Sequence, residues 1–275
     1  MATRWSEGVA VRVVLAVAMA AAPSIAMASN ESGDGQPDAS DAHAEAPSIA
    51  IGEHATEYVS WGRNRRRAHN VELAASRLDG AWIAPGAELS FDQRVGPRSR
   101  DAGFREAPVI ASGRLRQGMG GGVCQVTTTL HLAAMEAGLE IVEHRVHTFP
   151  SHYVAPGLDA TVAEGRIDYR VRNPHPFPVF VRANASDGTL RVSLLGTRAI
   201  PPVHVRATVV RELSLPDELQ EDPTLPRGQQ ELVQEGRVGY VVLVVRSTEA
   251  GELDRERVRY APAARVVRVG VGGGA

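Results

Sequence analysis

Cys124 is the sole cysteine in 275 residues, and it follows directly on the glycine-rich run Gly118-Met-Gly-Gly-Gly-Val at the predicted start of a helix. Amide N–H groups in a first helical turn have no partner within the helix and carry the positive end of its dipole, so they favour an anion. A thiol placed there has its thiolate stabilised, and the ordinary pKa of ~8.5 can fall to ~7 or below. A cysteine nucleophile also needs a base in reach and a group that orients the base. His147, His152 and Asp159 follow Cys124 in that order. The pattern predicts Cys124 as nucleophile, His147 as base and Asp159 as the orienting acid. His152 is the alternate base, with His144 behind it. The loop amides and the Gln125 side chain are the oxyanion donors.

Other roles fit the same residues. A cysteine is often a buried, inert side chain, with nearby histidines satisfied by backbone carbonyls. Zinc is a further option, through Cys124 with His144, His147 and His152. The spacing His-x2-His-x4-His matches no common zinc site, so neither a metal nor a cofactor enters the assignment. Binding without chemistry is the remaining option. Arg94, Arg98 and Arg105 would then clamp a carboxylate beside Gly120, Gly121 and Gly122. A helix-borne cysteine followed by histidine and an acid on later β segments parallels papain-like and transglutaminase-like enzymes in layout. No papain signature surrounds Cys124.

These groups need a scaffold. Asn70 reads as the N-cap of a helix over 71–79, with Val71, Ala74, Ala75 and Leu78 on one face. A strand is expected at 88–91, then a turn-rich stretch, then a hairpin around 108–115 that delivers the chain to the glycine loop. Val126, Leu130, Ala133, Ala134 and Ala137 recur at helical spacing after Cys124, and Gly138 is a C-cap. Short strands are expected at 139–142 and 161–162. Residues 169–172, 177–182 and 189–195 read as a three-stranded antiparallel meander, with Asp187-Gly188 as its hairpin turn. Residues 203–275 read as a small all-β module with a turn near Ala250-Gly251. The fold class is therefore α+β: a glycine-loop and cysteine helix packed on antiparallel strands, then the β module. The domain boundaries are 49–200 and 203–275.

Residues 1–28 have the pattern of a secretory signal peptide: Arg4 and Arg12, an apolar core at 13–22, and Ala26-Met27-Ala28 as a small-x-small cleavage site. Retention as an uncleaved anchor is the alternative. Residues 29–48 carry almost no large apolar groups and read as a disordered linker. The mature chain is expected in the periplasm or outside the cell, with no transmembrane segment. A single cysteine excludes an internal disulfide, so in an oxidising compartment the thiol pairs elsewhere, lies buried, or is kept for chemistry. The formal charge of -2 gives no basic footprint for nucleic acid. All 30 basic residues are arginine, which excludes lysine nucleophiles and Schiff bases. The run Arg63, Arg65, Arg66 and Arg67 reads as a solvated surface, with contact to an anionic polymer as the alternative.

Several blocks resemble the VanW family, whose founding member belongs to a glycopeptide-resistance gene cluster. They are Trp82-Ile-Ala-Pro-Gly-Ala-Glu-Leu-Ser-Phe-Asp, Val95-Gly-Pro-Arg, Glu106-Ala-Pro-Val-Ile, Gly120-Gly-Gly-Val-Cys-Gln-Val-Thr-Thr-Thr-Leu and His147-Thr-Phe-Pro-Ser-His-Tyr. The resemblance covers about 55–185. The tail, through Val233-Gln-Glu-Gly-Arg-Val-Gly and Arg265-Val-Val-Arg-Val-Gly, resembles a G5 domain. The resemblance implies a cell-envelope protein with peptidoglycan or its precursors as partner. Two functions follow: cysteine-dependent amide chemistry of the amidase or transpeptidase type, or a non-catalytic envelope-binding or structural module with a buried Cys124.

Overall fold

Buried apolar side chains collect into two clusters. A large one draws on residues 51–194, and a small one is formed by Val242, Val244, Val258 and Tyr260. The computed structural model describes residues 46–111 and 114–272. The signal-peptide segment and residues 29–45 of the linker lie outside the described residues.

The large cluster is enclosed by β1 (Ile49–Glu57), α1 (Arg65–Leu78), β2 (Trp82–Ile83), β3 (Glu88–Ser90), α2 (Phe91–Val95), β4 (Glu106–Ala111), β5 (Arg114–Met119), α3 (Val123–Glu136), β6 (Glu140–Glu143), β7 (Arg170–Arg172), β8 (Val179–Ser186) and β9 (Thr189–Gly196). One antiparallel sheet has the order β1-β9-β8-β2, with α1 lying on β8 and α3 on β1 and β9. The β8–β9 turn uses Asp187 and Gly188 with φ of 52° and 81°, the positive values that a two-residue hairpin loop of the primed type requires. At Gly52 an added Cβ would lie 2.3 Å from the Ala133 carbonyl, so only glycine lets α3 sit directly on β1. Nearly every residue of α3 is buried, as expected of a helix enclosed on all sides.

The sequence-based expectations hold for α3, the β4–β5 hairpin and the β8–β9 hairpin, and fail in four places. The first helix begins at Arg65, so Asn70 is interior rather than a cap. β1 occupies residues whose alternation is broken by Gly52, Glu53 and His54, and periodicity missed it. β7 pairs with β3 and β6, not with β8. The turn after β7 is held by buried Asn173, whose Nδ2 donates to the carbonyls of Ile83 at 2.9 Å and Phe177 at 2.8 Å, and this separates β7 from β8. Residues 161–162 form no strand; the backbone there is irregular before an Ala163–Ile167 bridge.

The second unit contains β10 (His204–Leu213), β11 (Asp217–Pro226), β12 (Gln230–Gln234), β13 (Gly239–Thr248), β14 (Gly251–Tyr260) and β15 (Arg265–Gly272). They form two three-stranded sheets, β10-β13-β14 and β11-β15-β12, in which only β11 and β15 run parallel. The small cluster also receives Val146 and Leu158 from the first unit, so the two units share apolar packing. No helix among the described residues is long and apolar enough to cross a membrane.

Asn70 is fully buried in the middle of α1. Its Nδ2 donates to the carbonyls of Arg105 and Gly121, both at 2.9 Å, and its Oδ1 accepts from the Arg105 N–H at 2.8 Å. One side chain thus ties the helix to the glycine loop. Asn70→Ala orphans these backbone groups and is expected to cost about 3 kcal/mol in a denaturant titration. A cost within 0.5 kcal/mol of zero, the usual range for a surface change, would show that water replaces these bonds.

Candidate active site

The Gly120–Gly122 turn sets Cys124 in the first turn of α3. Gly120 and Gly122 have φ of 75° and 111°, and a Cβ at Gly121 would lie 2.5 Å from the Pro108 carbonyl. The loop therefore needs glycine for its dihedrals and for its close approach to β4. Val123 N–H and Gln125 N–H are bonded to the carbonyls of Gly120 and Gly122, which fixes the helix start. Cys124 is half-buried and lines a cleft of ≈ 1640 Å³ between the glycine loop, the start of α1, the end of β1 and the 146–153 loop. Its Sγ lies 3.5 Å from Thr161 Oγ1 and 3.6 Å from the Val162 carbonyl.

The structure brings His147 and Asp159 to this thiol. His147 Nδ1 lies 2.5 Å from Asp159 Oδ2, and the same oxygen accepts the His147 backbone N–H at 2.8 Å. This leaves Nε2 as the ring nitrogen for the sulfur. Burial alone would lower the His147 pKa, but hydrogen bonds to Asp159 and Cys124 reverse that and raise it to about 9. Burial pushes the Cys124 thiol up; the hydrogen bond and positive charge of His147 outweigh this, and the net direction is down. His147 thus favours the thiolate form of Cys124, and Cys124 and Asp159 favour the protonated imidazole. Because the folded His147 pKa lies above its ordinary ~6.5, the associated stabilisation is complete below ~6.5 and is lost as pH rises through about 9.

Other predicted residues sit differently. His152 is exposed on the cleft, with its ring against Tyr153. His144 faces away from the thiol: its Nε2 lies 2.9 Å from the Asp159 carbonyl and its ring stacks on His131 at 4.2 Å. That contact removes it from any zinc cluster with Cys124. The Gln125 side chain is not an oxyanion donor. Both its amide hydrogens are bound, by Thr56 Oγ1 at 2.9 Å and the Glu57 carbonyl at 2.8 Å. One residue along a helix is a turn of about 100°, which points Gln125 at β1 instead of the sulfur. The three-arginine clamp does not assemble. Arg94 bonds the Asp79 carbonyl, Arg105 is exposed outside the cleft, and Arg98 reaches the cleft but is paired with Asp92. The arginine beside the thiol is Arg67, whose Nη2 donates to Gln125 Oε1 at 2.7 Å.

Residues 66–195 match the family described as VanW like protein, and residues 204–271 match the G5 domain family. The chain joins a VanW-like domain to a G5 domain. It is 39% identical over 150 residues to YoaR of Bacillus subtilis (strain 168), covering 54% of this chain and 49% of that one. It is 33% identical over 112 residues to the vancomycin B-type resistance protein VanW of Enterococcus faecalis (strain ATCC 700802 / V583), covering 39% and 41%. The chain thus spans about half or less of the length of these relatives. The solved G5 domain of an IgA1 protease is 25% identical, covering 28% of this chain and all of its own, with a TM-score of 0.20.

The G5 domain reaches the site. Tyr260, at the end of β14, donates its hydroxyl to Asp159 Oδ1 and accepts the Gly157 N–H at 2.7 Å. Arg237 lies 4.0 Å over the ring of Phe149 in the histidine loop. A Cβ at Gly157 would lie 2.7 Å from Val242, so the loop before Asp159 is pressed onto the G5 sheet. Sequence gave no signal for Tyr260, which reads as one more alternating strand residue.

Two outcomes follow. Tyr260→Phe removes a hydrogen bond to a buried carboxylate and is expected to cost about 2 kcal/mol in chemical denaturation. Asp159→Asn removes the charge that supports the imidazolium. It should move the pH midpoint of Cys124 alkylation upward by about one unit; an unmoved midpoint would separate Asp159 from the thiol's ionisation.

Proposed function

We propose that the VanW-like domain is a cysteine amidase or transpeptidase acting on peptidoglycan peptide, in a protein exported to the cell envelope. The observation that carries this reading is the Cys124–His147–Asp159 constellation on an open cleft, with the thiol lowered and the imidazole raised. Export rests on the signal pattern of residues 1–28. The envelope setting rests on the G5 domain and on the relative named for vancomycin resistance. Wall glycan or peptide is the corresponding partner for the G5 domain.

In this mechanism the Cys124 thiolate attacks an amide carbonyl carbon, and the carbonyl π electrons move onto oxygen. The Cys124 N–H at the start of α3 stabilises that oxyanion. Collapse breaks the C–N bond, and the leaving nitrogen takes the proton from His147 Nε2. A thioester to Cys124 remains and His147 is neutral. Water, or the amine of a second peptide, then attacks the thioester and loses its proton to His147; Cys124 departs as thiolate. Water gives hydrolysis and an amine gives a new amide. Asp159 holds the imidazole orientation in both halves, as orienting acids do.

A non-catalytic envelope module is the second reading, favoured by the Thr161 and Val162 contacts that can hold the sulfur as an ordinary thiol. Two measurements separate the readings. Iodoacetamide labelling of the native protein should reach half its maximal rate well below pH ~8.5. A midpoint at or above that value, or labelling only in denaturant, would leave the thiol inactive. Muropeptides incubated with wild type should change in profile, and with Cys124→Ala they should not. Identical profiles would exclude catalysis by Cys124 on those substrates.

A further inference from the structure

Arg67 is built into the cleft wall beside Cys124. It lies in the first turn of α1, partly buried, and its stem packs against the glycine loop: a Cβ at Gly122 would lie 3.1 Å from Arg67 Cγ and 3.0 Å from the Arg67 carbonyl. Its head is mounted on Gln125, the residue after the nucleophile. Both hydrogens of the Gln125 amide are held by β1, so Oε1 presents a rigid acceptor to Arg67 Nη2. A guanidinium carries five N–H donors, and this contact uses one. Among the described residues the ion pairs formed by arginines do not include Arg67. Burial lowers the Arg67 pKa, and the neighbouring Tyr153 and Cys124 act in the opposite direction.

A second observation concerns the same cleft. Ser151 is 7% exposed, its Oγ has no hydrogen-bond partner, and it lines the same cleft from the loop that carries His147. Buried hydroxyls are nearly always bonded. An oriented cation with free donors and an unbonded buried hydroxyl, on one cleft with a nucleophile, match the needs of a carboxylate. Arginine takes that group through two parallel N–H bonds.

We propose that Arg67 and Ser151 form a carboxylate subsite, and that the substrate is a peptide with a free carboxylate close to the amide bond attacked by Cys124. This rests on the amide-chemistry reading for the word substrate; as a binding site it stands independently. Two sources supply the chemistry: the α-carboxylate of a C-terminal residue, or the side-chain carboxylate of a diamino diacid within the stem peptide.

The test uses the full chain. Cys124 is alkylated with iodoacetate and with iodoacetamide, which differ in a carboxylate, and the rate ratio is compared with that of free cysteine. The expected ratio favours iodoacetate at least tenfold over free cysteine and falls at least fivefold in Arg67→Gln. A ratio equal to that of free cysteine, or one unaffected by Arg67→Gln, overturns the proposal. Binding is then measured on Cys124→Ala with a stem tetrapeptide in three forms: free acid, C-terminal amide, and side-chain amide of the diamino acid. The form that loses at least tenfold in affinity identifies the carboxylate, and that loss should vanish when Arg67→Gln is added. Equal affinity for all three forms, or no binding of any, overturns the proposal. If Arg67→Gln does not fold, Arg67→Lys takes its place. It keeps charge but not the fork, and should reduce the acid-to-amide preference at least threefold; an unchanged preference overturns the proposal. A flat comparison together with a lowered thiol midpoint defeats the subsite alone. A carboxylate preference with an ordinary thiol midpoint defeats the catalytic reading alone.

Discussion

A charged carboxylate with no exposure to solvent is costly unless donors surround it. Asp159 is fully buried, and the arrangement of the molecule follows from satisfying it. One oxygen takes two donors from His147, a backbone N–H and a ring nitrogen, and the other takes the Tyr260 hydroxyl. The first two donors fix the imidazole relative to the backbone of its own loop. The third comes from a strand about a hundred residues downstream. The orientation of the histidine therefore depends on how the G5 domain docks, and that docking depends on Gly157, Val146 and Leu158 meeting Val242 and Val244.

The opposite wall is organised by hydrogen bonds that run through one amide. Gln125 joins β1 to α3 through Thr56 and Glu57 and presents Arg67 to the cleft. Asn70 does the corresponding work one helical turn along α1, binding the glycine loop through Gly121 and Arg105. Both are buried polar side chains in helices, where satisfied networks give rigidity and half-satisfied ones would be costly. Cys124 thus sits at a junction of α1, α3 and β1 whose geometry is set by directional bonds as well as by apolar packing.

The grouping of Cys124, His147 and Asp159 was legible because its logic is local: a cysteine after glycines at a helix start, then a histidine and an acid on a following loop. The fold class and the β4–β5 and β8–β9 hairpins were legible from turn chemistry and alternation. What failed depended on register or on distant pairing. Gln125 has the right chemistry for an oxyanion, but helical rotation places it on the wrong face. Arg94 and Arg105 lie near the glycine loop in sequence, but the fold takes them elsewhere. Arg67 falls among exposed arginines if the helix starts at residue 71. Begun at Arg65, the 3.6-residue period puts Arg67 on the same face as Val71 and Ala74, and its inward position becomes visible. Tyr260 had no local signal, since which strand residue meets Asp159 is decided by domain docking.

The charges in the cleft explain why two cations stand near one thiol. On the proposed mechanism, with Cys124 as thiolate, His147 and Arg67 positive and Asp159 negative, the resting centre would be balanced. Attack on a carbonyl would carry the sulfur's charge to the oxyanion, and proton transfer would then leave His147 neutral. On that mechanism the thiolate's negative charge and the imidazolium's positive charge are lost together, so the net charge around Arg67 is unchanged while Arg67 stays partly desolvated. A carboxylate held there would be bound about equally before and after acylation, so Arg67 would bind and orient the substrate rather than favour the transition state selectively. A fixed arginine beside Cys124, mounted on a side chain that cannot follow the substrate, suits that positioning.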